Sequence, residues 1–180
     1  MRVSTVFRKQ WPAFVLAFVV PLVAVFWWWG GFATVEVIET EAGPYRYGYS
    51  PYEGPISNMR KSQRAVLDKF TAAGVDAGDT ISVILTDPRQ ANGKVRAELG
   101  YLLADGAPVP AGLQEGRIAR RPVYVARVRA AVLLAPSKAY QALADSLAER
   151  GQAIVMPTVE RYQPAGQASR IGVFTLEMNR

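Results

Sequence analysis

From Trp11 to Ala33 the sequence runs 23 residues without a charged side chain. At about 1.5 Å of rise per residue, a helix of that length can cross a hydrocarbon layer about 30 Å thick. The run is apolar on every face, a pattern that suits lipid better than a one-sided protein core. Trp11 stands at one end and Trp27, Trp28 and Trp29 at the other, and tryptophan favours the headgroup level of a bilayer. Pro21 removes one backbone donor in mid-span, so a kink is expected there. The sequence therefore predicts one transmembrane helix over residues 11–33, in contact with membrane lipid.

The flanks give that helix a direction. Arg2, Arg8 and Lys9 precede it and residues 1–10 hold no acid, whereas Glu36, Glu39 and Glu41 follow it before the next base, Arg46. Positive charge stays on the cytoplasmic side. Residues 1–10 are then a cytoplasmic flank and residues 34–180 lie outside, as in a single-pass protein of the cell (inner) membrane. A cleaved secretory signal is the competing reading, because Gly31 and Ala33 are small residues at acceptable cleavage positions. The length of the apolar run and the bulky tryptophans beside that point favour an uncleaved anchor.

Composition narrows the chemistry. The chain has no histidine and no cysteine, which excludes disulfides, Cys or His metal sites, thiol nucleophiles and a Ser-His-Asp triad. No metal and no cofactor are expected. Three of the 21 basic residues lie before the anchor, leaving 18 against 15 acids in the rest of the net +6 chain. That balance is too weak for the concentrated positive field of a nucleic-acid binder, so no nucleic-acid partner is expected.

Residues 34–180 have the length of one ordinary domain. Thr34–Thr40 alternates as a strand, Gly43-Pro44 breaks it, and Tyr45, Tyr47 and Tyr49 then share one face of a period-two segment. Ile56, Met59, Gln63, Val66, Leu67 and Phe70 mark one side of a helix, with Ser57 as candidate N-cap and Gly74 as C-terminal glycine. Ile81–Thr86 and Val95–Leu103 read as a hairpin, with turn signals at Asp87-Pro88 and Asn92-Gly93.

After a loop over residues 104–116, the order returns. Pro122–Leu134 is a strand, Pro136 opens a helix that Gly151 ends, and Ala153–Tyr162 with Ile171–Leu176 forms another hairpin. The expected fold class is α+β: a duplicated β-α-β-β unit, an antiparallel sheet with two helices on one face, and a concave central groove at the pseudo-dyad on the other.

Several short motifs carry a resemblance. Gly43-Pro44-Tyr45, the helix ending at Gly74, Ile84-Leu85-Thr86-Asp87-Pro88, Lys94 to Gly100 and Pro157-Thr158-Val159-Glu160-Arg161-Tyr162 resemble the GyrI-like small-molecule-binding domain. That fold is also known as the bacterial transcription-activator effector-binding domain and is related to the SOUL haem-binding fold. One eukaryotic branch couples it to an N-terminal membrane anchor, the layout seen here. The resemblance implies a ligand groove lined by a glutamate near the pseudo-dyad and by aromatic side chains.

The matching acid is Glu98, which shares its strand face with Arg96 and Leu102. An ion pair with Arg96 at the surface is the alternative role for it. Tyr45 is the first aromatic candidate, and cross-strand packing competes for its neighbours Tyr47 and Tyr49. Tyr124 and Tyr162 enter through the repeat. Arg127 and Arg129 lie on one strand face, open either to an anionic group or to solvent.

Three functions fit: a membrane-anchored binder of small molecules, a hydrolase of small electrophiles using a Glu and Tyr pair, or an interaction protein. The hydrolase needs Glu98 to meet a tyrosine hydroxyl across an open groove. The expectation is binding, with no catalytic residue assigned.

Overall fold

The computed structural model describes residues 4–87, 93–166 and 171–180, with side chains in the N-terminal helix described at Trp11 and from Val15 onward. Helix α1 (Ser4–Trp28) holds most of the uncharged run but is offset from the expected 11–33. It starts inside the basic flank, where no residue breaks a helix, and stops before Gly30, which takes a φ of +75° in the left-handed region that glycine enters without penalty. From Val15 to Trp28 the large apolar side chains are exposed. Among the described residues no helix is long and apolar enough to cross a membrane.

The rest of the chain forms β1 (Glu36–Ala42), β2 (Tyr45–Pro55), α2 (Met59–Ala72), β3 (Thr80–Ile84), β4 (Lys94–Leu102), β5 (Gln114–Ile118), β6 (Arg121–Ala131), α3 (Ala135–Ala148), β7 (Thr158–Pro164) and β8 (Ile171–Asn179). The strands make one antiparallel sheet in the order β1-β6-β8-β7-β3-β4-β2-β5. The duplicated strand-helix-strand-strand core is present in both halves, and β3 and β7 meet at its centre.

One strand departs from the expected loop over 104–116. Gln114–Ile118 pairs with β2, and Gly116 lies beneath the ring of Tyr47, where an added Cβ would overlap it. With a glycine at its middle and only five residues, β5 has no apolar alternation to betray it. Its presence changes the topology. Each half opens with a short strand that joins the other half, β1 on β6 and β5 on β2. The two links cross where Gly43, at φ +93°, passes so close that an added Cβ would sit 2.9 Å from the Ala119 carbonyl oxygen.

Both helices lie on one face of the sheet. Helix α2 buries Val66 and Phe70 near Leu103 and Tyr101, and the Phe70 and Tyr101 rings meet edge-on with centroids 5.7 Å apart. Helix α3 buries Ala135, Ala139, Leu143 and Leu147 over Ala126, Val128, Phe174 and Leu176. Gly74 and Gly151 follow the helices at φ +65° and +68°, as the sequence predicts. Ser57 is not the N-cap: a 3₁₀ turn over Ile56–Asn58 comes first and Asn58 takes that position. Of the turn signals between β3 and β4, Pro88 and Asn92 lie outside the described residues.

Helix α2 packs over β2 and β4 of its own half, and α3 over β6 and β8 of its own half and the exchanged β1. The central pair β3–β7 lies between them. The open space is therefore on the helix side, and the expected groove on the opposite face is corrected. That opposite face packs Tyr47, Ile81, Val83 and Val159 together at the sheet centre.

Candidate functional site in the cleft between the helices

The register of the central pair sets Ser82 opposite Glu160 and Thr80 opposite Tyr162. Side chains alternate across a strand, so Thr80, Ser82 and Ile84 share the helix face with Glu160 and Tyr162. These residues, with Met59 and Gln63 of α2 and Tyr140 and Gln141 of α3, line a cavity of about 670 Å³. That volume falls among small-molecule sites, which span roughly 300–1,000 Å³. Leu99, Phe174, Val132 and Leu133 give the lining an apolar character.

Glu160 is one of two acids in the described lining of this cavity. The Tyr140 hydroxyl donates to its Oε1 at 2.9 Å and lies 2.8 Å from Thr158 Oγ1. Burial pushes the Glu160 carboxyl up to about 7, and the Tyr140 hydrogen bond partly offsets that rise. Burial, and then the charge of Glu160, hold the Tyr140 hydroxyl well above its ordinary range. Burial also raises Tyr162. Gln63 donates its amide nitrogen to the Gly100 carbonyl at 2.7 Å, while its amide oxygen is buried without a hydrogen-bond partner among the described residues. Such an acceptor is costly to leave unmade and suits a ligand with a donor group. Asp87 adds a second acid to the lining. Among the described residues no cluster of three or more acids could hold a metal ion.

The four residues singled out in the sequence do not gather here. Tyr162 lines the cavity. Tyr124 is on the same sheet face but only 7% exposed, packed in the core around α3 with the Arg150 guanidinium 5.3 Å from its ring centre. Glu98 and Tyr45 are on the other face. Tyr47 donates a 2.5 Å hydrogen bond to Glu98, and the Tyr47 and Tyr49 rings pack with centroids 5.5 Å apart. Glu98 thus meets a tyrosine hydroxyl, but away from the cavity rather than across it.

Tyr45 belongs to a buried ionic cluster. Its hydroxyl donates to Glu177 at 2.6 Å, and Arg121 and Arg161 each reach the same carboxylate at 3.1 Å. Glu177 is 1% exposed, so these partners hold a charge that burial alone would penalise heavily. Burial and the Glu177 hydrogen bond push the Tyr45 hydroxyl up to about 12. Arg127 and Arg129 are exposed.

Glu160, Tyr140 and Gln63 are the cavity residues that the sequence reading passed over as ligands. The signal for Glu160 was available. Strand alternation puts it on the same face as Tyr162, two residues away, so the choice of Tyr162 implied it. Tyr140 sits on the expected inner face of its helix, and nothing in that pattern separates a cavity wall from core.

No protein-family model and no curated protein matches this sequence. Solved structures do match. SAV2435 bound to tetraphenylphosphonium is 13% identical with a TM-score of 0.57, covering 80% of this chain and 93% of that one. The C-terminal domain of EcmrR is 10% identical with a TM-score of 0.62, covering 81% of this chain and 96% of that one. A cryo-EM structure of EcmrR in complex with DNA is also 10% identical, with a TM-score of 0.63, covering 96% of this chain and 68% of that one. The chain has a GyrI-like fold. Because EcmrR was solved on DNA, the fold by itself does not exclude a nucleic-acid partner.

Proposed function

We propose that this chain is a membrane-tethered binding protein whose helix-side cavity takes small lipophilic cations, with Glu160 as the counter-charge. The observation that carries the reading is a carboxyl group on the floor of a 670 Å³ cavity walled by apolar and aromatic side chains. A carboxylate there is poorly solvated, and a cation beside it favours the charged form. A lipophilic cation sheds little hydration on entry, and the faces of Tyr140, Tyr162 and Phe174 add cation–π attraction. The tetraphenylphosphonium found on SAV2435 supports the same ligand class.

The tether rests on the uncharged run from Trp11 and on the exposed apolar side chains of α1 from Val15 to Trp28. The basic N-terminal flank supports a domain on the extracytoplasmic side. A C-terminal alkaline phosphatase fusion, active only outside the cytoplasm, checks that side.

Thermal unfolding of the full chain in detergent tests the ligand class. Tetraphenylphosphonium at about a hundred times its dissociation constant should add about 2.7 kcal/mol of stability and raise the melting temperature by several degrees. Neutral triphenylphosphine oxide should raise it far less. Equal shifts, or none, contradict the reading.

A second reading uses the same pair. Tyr140 and Glu160 are a hydrogen-bonded hydroxyl and carboxyl in the cavity, with the acid near neutrality as general catalysis prefers. The Glu and Tyr hydrolase expected from Glu98 would have to operate here instead.

A further inference from the structure

The end of α1 is fastened to the domain at one edge of the cavity. The Ala131 amide donates to the Trp29 carbonyl at 2.9 Å, and Lys138 at the start of α3 donates to the Gly31 carbonyl at 2.5 Å. Gly30 lies so close to β6 that an added Cβ would sit 2.8 Å from the Arg129 carbonyl oxygen and 2.9 Å from Ala130 Cα. This backbone-to-backbone contact leaves the junction little freedom, so the direction of α1 sets the attitude of the domain. Between Ala131 and α3 come Val132 and Leu133, 39% and 64% exposed, and both line the cavity. Exposed lining residues mark a mouth.

We propose that this mouth rests in the lipid–water interface, with Val132 and Leu133 dipping into the headgroup layer beside Trp27–Trp29. The inference rests on the membrane-tethered reading above. Its own basis is continuity: tryptophans at the end of an apolar helix fix the interface level, and the rigid junction holds the apolar rim to that end of the helix. Exposed Phe32, 65% exposed, extends the same surface. A bilayer is the occupant that satisfies the apolar Val132–Leu133 edge of the rim and the helix together. The cavity would then open onto the layer in which lipophilic cations accumulate.

The chain contains no cysteine and its four tryptophans all lie between residues 11 and 29, which separates the two claims experimentally. A nitrobenzoxadiazole label is attached to Leu133→Cys, to Val132→Cys, or to Asp105→Cys in the exposed turn that follows β4 in the other half of the sheet. Each full-length protein is reconstituted in phosphatidylcholine vesicles containing a headgroup-nitroxide lipid. Native tryptophan emission should be quenched in all three, and the labels at 132 and 133 should be quenched at least threefold more than the label at 105. If tryptophan is quenched but the labels at 132 and 133 behave like that at 105, the mouth faces water and the inference fails while the anchor stands. A label at 133 that is blue-shifted yet unquenched means a second copy covers the rim, which also overturns it. Unquenched tryptophan defeats the anchor reading, and the inference with it.

Discussion

Glu160 is a carboxylic acid placed where charge is expensive. Burial raises its pKa from an ordinary 4.5 to about 7, so folding favours the protonated form. The sign follows from linkage: the stability contribution is complete below the unfolded pKa and is lost as pH rises through about 7. The wild-type domain should therefore lose stability between pH 5 and 8 relative to Glu160→Gln, whose neutral amide can still accept from Tyr140. Melting curves should show the gap between the two proteins widening by roughly 5 °C or more over that range. A constant gap would mean that Glu160 is solvated. At this scale the sequence was half legible. It put an acid and aromatics in a groove but chose Glu98, whose strand has the same alternation as that of Glu160. Local periodicity states which residues share a face, not which face the helices will cover, because that depends on contacts far along the chain.

The elements were more legible than their arrangement. Helices α2 and α3 announced themselves by apolar periodicity and C-terminal glycines, since those signals act over neighbouring turns. Strand β5 did not, because its stability comes from lying along β2 rather than from its own residues. The exchange of β1 and β5 between halves likewise has no local signature. Glycines mark where strands run tightly together. At Gly100 an added Cβ would sit 2.4 Å from the Gly48 carbonyl oxygen and 2.9 Å from Tyr49 Cβ, and neither neighbour is the free end of a side chain. Gly100→Ala should cost about 1–3 kcal/mol and lower the melting temperature by several degrees, whereas Gly166→Ala, with open space around it, should be silent. Equal melting points for the two variants would show that β2 and β4 can separate at no cost.

For the whole molecule, the duplicated fold and the uncharged N-terminal run have one consequence in common. Two helices, each seated on its own half of the sheet, leave the central strands uncovered, and the chain lines that space with two acids, Glu160 and Asp87, and several rings. In the proposed function, the tether sets where that site operates. Equilibrium titration of tetraphenylphosphonium at pH 8 into the full chain, Glu160→Gln and Glu98→Gln tests the assignment most directly. The wild type and Glu98→Gln should bind alike, and Glu160→Gln should bind about 10- to 100-fold more weakly, the range for losing a hydrogen-bonded or paired charge. Full affinity in Glu160→Gln, or a loss confined to Glu98→Gln, would contradict the assignment of the helix-side cavity as the ligand site.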